Sequence, residues 1–144
     1  MTELEIRNQI AYYEARIKEQ KQIIRKQEDA CEELQMLRDR IELQRLRFED
    51  RQQTRKRNLL KVQMMTARVK TAQGYYEGMG TLLSGKEQNE ALSNFEGAKG
   101  AVKRKQADCL ERIDEAKGIV KRYESIVNSL QWQLYRLRMQ SSVD

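Results

Sequence analysis

The sequence predicts an all-α fold, a long antiparallel helical hairpin, and three observations point to it. Helix-favouring Glu, Lys, Arg, Gln, Leu and Ile dominate, with 35% of residues charged, 39% hydrophobic and no proline. Apolar residues recur at three- and four-residue steps along two long stretches, the pattern of a coiled-coil seam. Four of the seven glycines gather between those stretches, at Gly74, Gly78, Gly80 and Gly85. This mixture suits long helices rather than a compact globule, and the regular apolar spacing argues against disorder. The 144 residues read as one domain: a first helix over about residues 2–73, a tip over about 74–86 and a second helix over about 87–139.

The first helix starts almost at once, because Thr2 and Glu5 form a T-x-x-E capping box. Ile6, Ile10, Tyr13, Ile17, Ile24, Cys31, Leu34, Leu37 and Ile41 then mark its seam, and Glu3 with Arg7 and Glu14 with Lys18 add i,i+4 pairs outside it. Across residues 49–58, "EDRQQTRKRN", the seam is lost, yet no Gly or Pro interrupts the helix. The seam resumes with Leu59, Val62, Met65, Val69, Ala72 and Tyr76. Ser84 with Glu87 makes a second capping box for the second helix. There Phe95, Val102, Cys109, Ala116, Tyr123, Leu130 and Leu137 hold one heptad position, and Ile113, Val120, Val127 and Leu134 the other.

The glycine-rich tip imitates a phosphate loop without being one. Residues 80–86, "GTLLSGK", match G-x-x-x-x-G-K, but Glu87 follows where a hydroxyl should hold magnesium. A carboxylate there repels phosphate, and no strand precedes it. The stretch reads as the bend of the hairpin, with Tyr75, Tyr76, Met79, Leu82 and Leu83 too apolar for a solvated linker. The chain has no histidine, which removes the usual general base and the commonest metal ligand. Cys31 and Cys109 lie too far apart for a zinc-knuckle spacing and both fall on the seam, as small apolar residues do. No catalytic, cofactor or metal site is expected. No apolar run reaches the length of a membrane span and "MTELEIRNQI" has no signal-peptide core, so the reading is of a protein made in the cytoplasm.

The segment "GYYEGMGTLLSGKEQNEALSNFEGAKGAV", followed by the heptads to Leu137, resembles the WXG-type proteins of type VII secretion. Those proteins carry a W-x-G between two helices, and Tyr76, Glu77 and Gly78 stand in the matching place here. In length the chain is more similar to the small helical proteins that accompany LXG-domain toxins of Gram-positive bacteria. The resemblance implies a non-enzymatic adaptor, chaperone or targeting factor that binds the helical N-terminal domain of a secreted toxin. Two features depart from the pattern. The only tryptophan, Trp132, lies far down the second helix, and the C-terminal Y-x-x-x-D/E export signal is absent, since Val127 and Met139 follow Tyr123 and Tyr135 at that spacing. On this reading a partner carries the signal, and the chain stays in the cytoplasm or leaves with it. In length, basicity and hairpin form the chain also resembles the stalk proteins of flagellar and type III export ATPases.

The net charge of +6 is concentrated in two clusters, Arg51, Arg55, Lys56, Arg57 and Lys61, then Lys99, Lys103, Arg104 and Lys105. A hinge near residue 79 or 80 makes facing residue numbers sum to about 159. That register sets Arg55, Lys56 and Arg57 beside Lys103, Arg104 and Lys105, a basic band suited to an acidic protein. It also leaves Ile6, Ile10, Tyr13 and Ile17 beyond the end of the second helix, uncovered and available to a partner helix; a hinge near residue 70 would remove this overhang. Those residues, with Tyr75, Tyr76 and Gly78 at the tip, complete the expected partner-binding set. The partner is a helical protein, an LXG-type toxin or another small helical protein, and a structural homo-oligomer is the alternative. Nucleic acid is disfavoured because no recognition module or interleaved aromatics accompany the basic residues.

Overall fold

The computed structural model describes residues 1–66, 74–75, 77–81 and 85–143. Helix α1 spans Glu3–Thr66 and helix α2 spans Lys86–Val143, with no strand among the described residues. The two pack antiparallel as the expected hairpin, with the glycine-rich stretch between them. The first capping box forms reciprocally: the Thr2 amide donates to Glu5 Oε2 at 3.0 Å and the Glu5 amide to Thr2 Oγ1 at 3.2 Å. Glu3 and Arg7 make their i,i+4 pair at 2.9 Å. The second box rests on Ser84, which lies outside the described residues; the Gly85 carbonyl accepts the first α2 bond, from Asn89, at 3.3 Å.

Helix α1 runs without a break through residues 49–58. The seam does not vanish there: Gln52 occupies it, buried, one heptad before buried Leu59. Arg51 and Thr54 turn back onto the carbonyls of Arg47 and Asp50, keeping their polar groups on the same helix.

The hairpin comprises two compact units. The first joins Met1–Glu33 to Gln106–Asp144, and buries Ile6, Ile113, Ala116, Val120, Val127 and Leu130. Tyr13 and Tyr123 meet across it with ring centroids 5.5 Å apart, and Arg138 donates to Glu3 at 3.2 Å. The second unit, Leu34–Lys105, buries Leu59 and Val102 and places Phe48 against Phe95 at 5.9 Å. Each fully buried aliphatic side chain contributes about 1.5–3 kcal/mol, so short seams of this kind hold each unit together. Every seam residue expected on α2 from Phe95 to Leu137 is buried or half-buried.

The facing register differs from the sequence expectation. Glu3 meets Arg138, Glu42 meets Lys99 and Phe48 meets Phe95, pairs whose numbers sum to about 141 rather than 159. Two consequences follow. Ile6 is 3% exposed, so the expected overhang of bare seam does not exist. The basic clusters also separate: in this register residues 103–105 lie level with about residues 36–38, roughly 28 Å along α1 from Arg55, Lys56 and Arg57. There is no single basic band. Leu37, expected in the seam, is instead 45% exposed, and half-buried Arg38 stands beside it.

Candidate interaction surface

Most of the buried apolar side chains among the described residues come from α2, Val102, Val120 and Val127 among them. On α1, Ile10, Tyr13, Ile17 and Ile24 are only half-buried, although they lie at seam positions. Tyr12 and Ile23 stand outside it, 54% and 42% exposed. Tyr12 packs edge-on against Tyr13 at 5.3 Å, and the Arg16 guanidinium sits 5.3 Å from the Tyr12 ring centroid; the hydrogen bond that Arg16 Nε donates to the Tyr12 hydroxyl at 3.3 Å raises the guanidinium's pKa. Beside Ile17 a groove is lined by Glu14, Lys18, Lys21 and Arg25, and Lys21 also pairs with Glu124 at 3.9 Å. The first unit thus keeps an apolar strip with a net positive margin along α1.

Two apolar surfaces escaped the sequence reading. On α2, Trp132 and Tyr135 stand 62% and 55% exposed and pack edge-to-face at 5.8 Å, with Asn128 and Gln131 beside them. Their three-residue spacing, off the seam of Leu130, Leu134 and Leu137, is a sequence signal of an outward aromatic pair. In the second unit, Leu37, Ile41, Ala91, Phe95 and Ala98 line an open groove between α1 and α2.

The other expected contact residues are dispersed. Tyr75 is 57% exposed, Gly78 is exposed within the helical residues 77–81, and Tyr76 lies outside the described residues. Arg55, Arg57, Lys103, Arg104 and Lys105 are exposed, while Lys56 is half-buried. A Cβ on Gly78 meets nothing within 4 Å and its φ is ordinary, so the hairpin itself does not need glycine there. Gly78→Ala should leave the unfolding free energy unchanged or raise it by about 0.5–1 kcal/mol in urea titration. A clear destabilisation would show a backbone need.

Charge is used between the helices of the second unit instead. Lys99 Nζ lies 3.3 Å from Glu42 Oε2, and Arg45 donates to Glu42 and, at 2.9 Å, to Glu49. The Arg45 hydrogen bond, followed by that of Lys99, pulls the Glu42 carboxyl from 4.5 to about 2. Since the folded value lies below the unfolded one, this stabilisation is complete above about pH 4.5 and disappears as the pH falls toward 2. Glu42→Gln should flatten the loss of stability across that interval, followed by urea unfolding at stepped pH. Identical acid profiles for both proteins would remove Glu42 from the account.

Burial raises the pKa of the Cys31 thiol, and neighbouring Cys109 adds to the effect from across the seam. Both cysteines are free. No helix among the described residues is long and apolar enough to cross a membrane. Comparison with protein-family models, curated proteins and solved structures finds no match for this chain.

Proposed function

We propose that this chain is a non-enzymatic helical adaptor that packs the outer side of α1 against helices of another protein. The observation that supports it is the incompletely covered strip of Ile10, Tyr13, Ile17 and Ile24, flanked by exposed Tyr12 and Ile23. Half-covered apolar residues at seam spacing are what a third helix would finish burying. The groove beside Ile17 sets Lys18, Lys21 and Arg25 against the one carboxylate of Glu14, a net positive edge that favours a partner helix with acidic residues.

The finer reading rests on the resemblance to the small proteins that accompany LXG toxins: the partner is the helical N-terminal domain of a secreted toxin, and the adaptor is its chaperone or targeting factor. The test is a pull-down of tagged protein from its native cells at moderate salt, with mass spectrometry of the bound proteins. A large protein with a helical N-terminal domain and a toxin-like C-terminal domain is the expected result. Tyr12→Ala with Ile23→Ser should keep the helical circular-dichroism signal and weaken that capture at least about tenfold, a loss of about 1.4 kcal/mol. Recovery of the chain alone, as a homo-oligomer by light scattering, would overturn the adaptor reading.

A further inference from the structure

The cysteines were expected to be inert seam fillers, but the fold brings the chain's two thiols to one place. On α2, Cys109 lies one heptad from buried Val102 and one from buried Ala116. On α1, Cys31 lies one heptad from half-buried Ile24. The antiparallel pairing that joins Glu3 to Arg138 sets residue 31 level with residue 109–110, and the two thiols interact across the seam. Packed helices have axes about 8–10 Å apart and Cα atoms on a radius of about 2.3 Å, so facing seam Cα atoms approach to roughly 4–7 Å. A disulfide needs a Cα separation of about 4.4–6.8 Å. Ala30 beside Cys31 and Ala116 one heptad after Cys109 are small residues that favour the close approach.

We propose that Cys31 and Cys109 form a redox-sensitive pair that closes an intramolecular disulfide across the hairpin seam when a low-molecular-weight disulfide is present. One protein thiolate attacks the small disulfide, expels one small thiolate and leaves a mixed disulfide. The second protein thiolate then attacks the protein-bound sulfur and expels the other. Two protein thiols lose their protons and are oxidised, and one small disulfide is reduced to two small thiols. Both cysteines are half-buried, open to a small oxidant and poorly placed to meet a second chain. Burial keeps Cys31 protonated at neutral pH, so the exchange quickens as the pH rises. Closure joins α1 to α2 at this layer and confines any partner to the outer faces of the hairpin.

The full chain, incubated with oxidised glutathione at mildly alkaline pH, quenched in acid, denatured and treated with a heavy maleimide, tests this directly. The expected product is a monomer that takes up no maleimide and has lost two hydrogens by intact mass. Its melting temperature should rise by roughly 10 °C, because the cross-link closes a long loop of the unfolded chain. Dithiothreitol should reverse the shift. Cys109→Ser should end instead as a glutathione adduct on Cys31, with no such rise. Glutathione left on both cysteines of the unaltered chain, or a disulfide-linked dimer, would overturn the proposal.

Discussion

Ile6→Ala is expected to lower the unfolding free energy by about 2–4 kcal/mol, measured by urea titration of helical circular dichroism. Ile6 is 3% exposed, one turn after the Thr2 cap, and its burial depends on α2 reaching the N-terminal end of α1. The ion pair that accompanies it, Glu3 with Arg138 at 3.2 Å, is about half exposed on both sides and contributes little by itself. The apolar contact therefore decides whether this end of the first unit stays closed. Leu4, two residues away and 68% exposed, is the internal control: Leu4→Ala should change stability by less than about 0.5 kcal/mol. Equal, small effects at both positions would mean that Ile6 is uncovered in solution. That would restore the overhang the sequence suggests, with Ile6 itself as a docking residue.

The two registers differ for a physical reason. A heptad pattern reports which residues of a helix face inward, and it does so well here. The α2 seam from Phe95 to Leu137, the Thr2–Glu5 cap and the hairpin itself were all legible, because each depends on residues close together in one helix. Register depends on where the chain reverses. Sliding α1 along α2 by whole heptads keeps apolar residues opposite apolar residues, so the seam pattern alone selects no alignment. What distinguishes one alignment is a handful of specific partners, such as Glu42 with Lys99, Phe48 with Phe95 and Tyr13 with Tyr123. Placing the hinge at the centre of the glycines broke those pairs and created a basic band that the fold does not contain. The cysteine pair was hidden by the same shift, since Cys31 and Cys109 face each other only in the observed register.

Gln52→Leu should raise the unfolding free energy by about 1–3 kcal/mol, an uncommon direction for a buried substitution. Gln52 is 8% exposed at a seam position, and its side-chain oxygen has no hydrogen-bond partner. Gln88, one heptad before Phe95 and level with Gln52 in the register, also holds its side-chain oxygen buried without a partner. Two amide oxygens removed from water and given no donor cost more than the leucine pair that would replace them. Such a layer is characteristic of seams that exchange stability for register, because sliding the helices one heptad in one direction would set Gln52 against Phe95 and Gln88 against Leu59. The double variant Gln52→Leu with Gln88→Leu should therefore be the more stable and the less selective protein. It should show additional oligomers by light scattering where the unaltered chain shows one species. A loss of stability in Gln52→Leu would mean that the amide is satisfied in solution, and the polar layer would then be a source of stability and not its cost.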